Sequence, residues 1–159
     1  MNKLNKGRSS VYSLRYHFIT VVKYRRKIFI NEEICSFLKE TVNQVAKEYD
    51  VEIISKECGE DHIHVLFSCK PTLIFKDFIQ ALKGRTARAL RARFPSLVNE
   101  KLWGDHLWSP SYFLATVGDV SLDTLINYVN TQRKESVDDE EEQGVQVQNL
   151  PESESTDSD

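Results

Sequence analysis

At 159 residues, with 40% hydrophobic and 28% charged side chains, the chain is sized for one domain with its own core. Its three cysteines (Cys35, Cys58, Cys69) are an odd number without paired spacing, which favours free thiols over a disulfide scaffold. Phe18 to Val22, the longest apolar run near the front, is far shorter than the roughly 20 residues a bilayer requires, and no secretory leader pattern opens the chain, so a cytoplasmic protein without membrane partners is expected.

Residues 1–10 are polar and basic without periodicity and read as a flexible lead. Val11 to Val22 is rich in β-branched and aromatic residues and predicts a strand, followed by the basic turn Lys23-Tyr24-Arg25-Arg26-Lys27. Asn31 can cap a helix, with Glu32 and Glu33 in the first turn where the macrodipole favours anions. Ile34, Phe37, Leu38, Thr41, Val42 and Val45 recur at helical spacing, carrying that helix to about Tyr49. Val51 to Glu57 predicts a strand, and Cys58-Gly59-Glu60-Asp61 a turn that sends the next strand back antiparallel.

That next strand carries the first chemical signal. In Asp61-His62-Ile63-His64-Val65-Leu66-Phe67, Ile63, Val65 and Phe67 share one parity and His62 and His64 the other. On a strand the two imidazoles stand side by side on one face while the opposite face enters a core. Two imidazoles so placed form half of a metal site, each offering a lone pair toward one point. The plainer alternative is a half-buried strand with two polar residues.

A second helix is expected over roughly Leu73 to Phe94, with Lys76, Lys83, Arg85, Arg88, Arg91 and Arg93 away from its apolar positions. Such a basic face suits phosphate contacts, although solvated basic faces are common. Pro95 to Pro110 reads as an irregular connection holding Trp103, His106 and Trp108. Trp103 and Trp108 suit packing more than base stacking, and the isolated His17 and His106 read as structural. Ser111 to Val117 predicts a strand, and Ser121 an N-cap for the last helix. There, Leu122, Leu125, Ile126 and Val129 form an apolar stripe, with Tyr128 and Gln132 stacked one turn apart on its shoulder. From Glu135 onward there are ten acidic and no basic residues, an acidic tail expected to be disordered. The first 134 residues hold 21 basic against 14 acidic side chains, a balance of +7 that suits a polyanionic partner such as nucleic acid. The element order suggests an α+β sandwich, an antiparallel sheet with helices on one face, of ferredoxin-like or RNA-recognition-like type.

His62-Ile63-His64 together with the helical Tyr128-x-x-x-Gln132 resembles the single-tyrosine HUH (His-hydrophobic-His) transposases of bacterial and archaeal insertion sequences. Leu82-Lys83-Gly84-Arg85-Thr86, Leu107-Trp108-Ser109-Pro110-Ser111-Tyr112-Phe113 and Val117-Gly118 also look like that family. The resemblance covers roughly residues 11–134 and leaves out the tail, 135–159. It implies cleavage and rejoining of single-stranded DNA at hairpin-bearing transposon ends, with Tyr128 as nucleophile and His62, His64 and Gln132 around Mg²⁺ or Mn²⁺. It also implies a homodimer, with the tyrosine helix serving either its own site or the partner's; Lys83, Arg85 and Arg88 are the expected DNA contacts.

Three rivals stand beside this reading. A structural zinc site would use Cys58, His62, His64 and Cys69, but Cys69 falls on the Ile63 side of its strand. A non-catalytic single-strand binder would keep the basic helix and aromatics without needing Tyr128 and Gln132 on one shoulder. A domesticated relative would cut palindromic DNA without mobilising an element.

Overall fold

Ten elements organise the described residues of this computed structural model, namely 4–7, 10–103, 106–118 and 122–138. They are β1 (Asn5–Lys6), β2 (Val11–Tyr12), β3 (Arg15–Val21), α1 (Glu32–Glu48), β4 (Glu52–Cys58), β5 (His62–Ser68), α2 (Phe75–Arg93), α3 (Pro95–Leu102), β6 (Phe113–Thr116) and α4 (Leu122–Asp138). A 3-10 turn at Lys23–Arg25 follows β3. The segment expected to form one strand from Val11 to Val22 is therefore two. Its first piece pairs with part of the basic lead in the small β1–β2 ribbon, Asn5 opposite Tyr12.

The main sheet is antiparallel in the order β4-β5-β3-β6. In β3 and β5 the register sets Tyr16 against Phe67, Phe18 against Val65, Ile19 against His64 and Val21 against His62. Alternation then separates two faces. Phe18, Ile63, Val65 and Phe67 point into the main core, where they meet Ile34, Leu38, Val42 and Val45 of α1 and Phe78, Ile79, Leu82 and Leu90 of α2. The α1 start matches its expected cap, with Asn31 Oδ1 accepting the Ile34 amide at 3.0 Å.

Two features of the fold differ from the sequence expectation. Pro95 to Leu102 is helical, because Pro95 has the φ a first helical turn needs and Val98 and Leu102, four residues apart, are buried. Helices also cover both faces of the sheet. On the histidine face Ile19, Val21, Phe113 and Ala115 form an apolar patch, and α4 buries Leu125 on it with Tyr128 and Val129 alongside. The α4 helix runs to Asp138, past the expected end at Lys134. Both the expected Ser121 cap and the acidic tail from 139 on lie outside the described residues. Among those residues no helix is long and apolar enough to cross a membrane.

Phe67 is fully buried and packs on Tyr16 and Phe78, with ring centroids 5.8 and 5.3 Å away. Phe67→Ala is expected to lower unfolding free energy by about 3–5 kcal/mol, whereas Ile54→Ala, at a site 42% exposed, should shift it by no more than about 0.5 kcal/mol. Urea denaturation of the two variants measures the difference.

Candidate active site

The turn joining β4 to β5 is built around His62. Gly59 accepts no side chain there: an added Cβ would lie 2.7 Å from Nδ1 and 2.9 Å from Nε2 of His62, and closer still to Cε1. Backbone bonds from Gly59 N to His62 O (2.9 Å), Phe29 N to Glu60 O (2.9 Å) and Val22 N to Asp61 O (2.8 Å) fix the turn against its neighbours. Asp61 is buried, and its two carboxylate oxygens have separate tasks. Oδ1 lies 2.8 Å from His62 Nδ1, and Oδ2 accepts from Arg25 Nε at 2.8 Å. Burial pushes the Asp61 carboxyl up, but the hydrogen bonds and charges of His62 and Arg25 prevail and hold it below the usual carboxylate range. An ionised Asp61 can only accept, so its contact with His62 Nδ1 orients the imidazole from the side of that nitrogen. Arg25 in turn donates from Nη1 to the Val129 carbonyl of α4 at 2.9 Å.

His64 has a different neighbour. Its Nε2 lies 2.9 Å from His17 Nδ1, and the two rings stack with centroids 5.1 Å apart at 28°. Burial lowers the pKa of His64 first, and His17 lowers it further; Glu57, across the strand pair, acts in the opposite sense. Burial alone lowers that of His17. Both imidazoles are therefore neutral at pH 7, the form in which histidine binds metals. His17 was expected to be structural. Its parity matches Ile19 and Val21, but only the β3–β5 register reveals that this face is also the face of His62 and His64.

A pocket of about 360 Å³ opens at the two histidines. Arg25, Glu57, His62 and His64 line it from the sheet side, and Ile126, Val129 and Asn130 from α4. Tyr128 and Gln132 are not among its lining residues. They do share one side of α4, but that side meets β6 and the segment before it. The Tyr128 ring packs on Phe113 at 5.2 Å, and the buried Gln132 accepts from Ser111 Oγ through Oε1 at 2.9 Å. Of the four expected site residues, the structure brings His62 to His64 and Tyr128 to Gln132 as two separate pairs.

The expected DNA contacts on α2 are differently engaged. Lys83 Nζ donates to Ser109 O at 2.6 Å, and Arg85 pairs with Glu48 of α1; Arg88 is exposed. Trp108 is core, its indole N–H donating to Thr86 Oγ1 at 2.9 Å. Trp103 is 79% exposed, with the Arg26 guanidinium 5.6 Å above its ring. The zinc alternative finds no support in the geometry, since Cys69 lies in the main core on the far side of the sheet. Among the described residues no three His, Cys, Asp or Glu side chains are grouped for a metal.

Residues 10–132 match the family model described as Transposase IS200 like, and the chain belongs to this transposase family. It is 38% identical over 130 residues to the ISDra2 transposase TnpA of Deinococcus radiodurans, a match covering 82% of this chain and 91% of that protein. It is 30% identical over 110 residues to the transposase for insertion sequence element IS200 of Salmonella typhimurium, covering 67% of this chain and 69% of that one. A crystal structure of a Deinococcus radiodurans R1 protein superposes with a TM-score of 0.74 at 34% identity, covering 80% of this chain and 97% of the other. The fold, though at only 12% identity, is also that of a tyrosine transposase bound to a REP hairpin, with a TM-score of 0.50 and coverages of 79% and 68%. The resemblance read from the histidine and tyrosine motifs is therefore borne out at the level of family.

The depressed pKa values of His17 and His64 have a signed consequence. Above the ordinary value of 6.5 both are neutral in the folded and unfolded chains, and the full stability is present. Below it the unfolded chain binds protons first, so stability falls with pH until the folded-state values are passed. Melting temperature should drop as pH is lowered below about 6.5, over a range above that in which Asp61 titrates. His17→Phe should flatten this dependence, as measured by thermal denaturation across that range.

Proposed function

We propose that the protein cleaves and rejoins single-stranded DNA at hairpin-bearing element ends through a 5′-phosphotyrosine on Tyr128. The observation that carries this reading is the pocket itself. His62 and His64 open into one space beneath the helix that bears Tyr128, and a buried carboxylate already engages the second ring nitrogen of His62.

The donor set fits a divalent ion. His62 and His64 would hold it through neutral imidazole nitrogens, and Gln132 would add an amide oxygen, a mixed set compatible with Mn²⁺ or Mg²⁺. When bound, the ion polarises a phosphate oxygen as a Lewis acid. The chain supplies the rest. The Tyr128 phenol releases its proton to solvent as its oxygen attacks the scissile phosphorus, the P–O3′ bond breaks, and the departing 3′ oxygen takes up a proton from solvent to become a free hydroxyl. The DNA 5′ end is left esterified to Tyr128. Attack by another 3′-hydroxyl reverses the step, and because the ester conserves the bond, no nucleotide cofactor is required.

This chemistry needs Tyr128 and Gln132 at the histidine pocket. In the docked position of α4 they instead face Phe113 and Ser111. The reading therefore includes a displacement of α4, or its supply by a second copy in a homodimer. Of the three basic residues expected at DNA, Arg88 is exposed, while Lys83 and Arg85 would have to exchange an internal partner for a phosphate.

Tyr128→Phe should abolish the covalent protein–DNA adduct on denaturing gels while hairpin affinity stays within about threefold, since one hydroxyl contributes little to a phosphate-dominated interface. An adduct that survives in Tyr128→Phe and disappears when Tyr112 or Tyr24 is changed would move the nucleophile. An adduct never formed by the wild-type chain, with hairpin binding intact, would favour a non-catalytic binder.

His62→Ala and His64→Ala should each stop cleavage and weaken Mn²⁺ binding, with a smaller loss for Gln132→Ala; calorimetry and cleavage assays check both. Cleavage in EDTA at the wild-type rate would remove the metal from the proposal.

A further inference from the structure

We propose that Arg25 is a positioning residue that couples the docking of α4 to the orientation of the His62 imidazole, with Asp61 as the link. This rests on the reading above only in taking His62 as a metal ligand and α4 as the nucleophile-bearing helix. The underlying geometry is independent of it.

Three hydrogen bonds run unbroken from the α4 backbone to the imidazole. Val129 O accepts from Arg25 Nη1 at 2.9 Å, Asp61 Oδ2 accepts from Arg25 Nε at 2.8 Å, and Asp61 Oδ1 meets His62 Nδ1 at 2.8 Å. The link is sheltered, the Arg25 and Asp61 side chains being 13% and 10% exposed. Water is therefore poorly placed to substitute for a lost partner.

Both ends of the link are rigid. Arg25 belongs to a turn in which Tyr24 and Arg25 have φ of 57° and 49°, a left-handed region that L residues occupy only when their surroundings impose it. Here the imposition is visible as bonds from Arg25 N to Val22 O and from Lys23 N to Leu107 O, both 2.8 Å. At the other end Gly59 lies against the His62 ring and leaves it no room to shift that way. A helix carbonyl has a second lone pair, so Val129 can accept from Arg25 without giving up its place in the helix.

The guanidinium is planar, with Nε and Nη1 in fixed relation. Arg25 cannot follow the Val129 carbonyl away from the sheet and keep its Nε bond to Asp61 unchanged. When α4 leaves, the guanidinium reorients, the Asp61 carboxylate responds, and the hold on the His62 Nδ1–H changes. A lysine keeps the positive charge beside Asp61 but offers a point-like ammonium on a flexible stem in place of the two-armed bridge.

The test uses the full chain, metal-free, with ¹⁵N-labelled histidine and four forms: wild type, Arg25→Lys, Asp61→Asn and, as reference, Arg93→Lys. Arg93 makes an ion pair with Glu33 at a solvent-exposed site on the far helices. Two quantities are read: the ring ¹⁵N shifts of His62, which report its tautomer, and amide hydrogen exchange along 122–138. Arg25→Lys should accelerate α4 exchange by roughly tenfold or more, the scale of one charge-assisted bond, and move the His62 ring shifts. Asp61→Asn does not touch α4, yet it should accelerate α4 exchange in the same direction, because coupling is reciprocal. It also keeps the proposal open to refutation if Arg25→Lys does not fold.

The proposal is overturned if each variant alters only its own end. That means α4 loosened with His62 unchanged in Arg25→Lys, or His62 shifted with α4 exchange at the wild-type rate in Asp61→Asn. A parallel Mn²⁺ titration of the wild type separates the two claims. Coupled responses without Mn²⁺ uptake would count against the metal reading and leave the role of Arg25 standing.

Discussion

Everything on the histidine face depends on the pairing register of β3 with β5. A strand has a side-chain period of two, so a slip of one residue would exchange its faces entirely. Such a slip would carry His62 and His64 into the main core and expose Ile63, Val65 and Phe67. The register is held by what it buries: Phe18 opposite Val65 and Tyr16 opposite Phe67, with the α1 and α2 side chains closing over them. Imidazoles and the core are thus specified by one alternation, and the site is as secure as the core beneath it.

That alternation is why the pairing of His62 and His64 on one face was legible from the chain. Parity alone separates the two histidines from Ile63 and Val65, and the Asn31 cap and the α1 stripe follow from equally local rules. What escaped a sequence reading lies in relations between distant segments. His17 meets His64 across a strand pair, Arg25 reaches Asp61 and then Val129, and Ser111 holds Gln132. Each contact spans a loop whose path no periodicity records. The face chosen by α4 was missed for a similar reason. An apolar stripe identifies the side of a helix that is buried but not the surface that receives it, and here the receiving patch is divided among β3 and β6.

The charge pattern shows the same division. Six basic residues on α2 suggest a phosphate-binding face when counted along the chain. In the folded protein Arg85 and Arg93 are paired with Glu48 and Glu33 of α1, and Lys83 donates to Ser109. Solvent-exposed pairs of this kind contribute little to stability, a median near 0–1 kcal/mol. They can therefore be exchanged for phosphates at small cost, so the internal pairs limit rather than abolish the capacity of α2 for a polyanion.

The sheet is asymmetric in how firmly it holds its helices. On one face, α1 and α2 close a core that includes Phe18, Phe67, Phe78, Leu38 and Leu90, each almost wholly buried. On the other, α4 contributes Leu125 as the one buried apolar residue among its described side chains, with Tyr128 and Val129 half-buried and Ile126 48% exposed. Stability is distributed accordingly, and elements with few buried apolar contacts open at lower free energy than the whole. Displacing α4 leaves the β3–β5 register and the α1–α2 core intact, so the strand positions of His62 and His64 are kept while the helix above them moves. The proposed role of α4, carrying a nucleophile to a site it does not face when docked, requires this combination. Polar bonds such as those from Arg25 to Val129 and from Ser111 to Gln132 then contribute to keeping α4 in place.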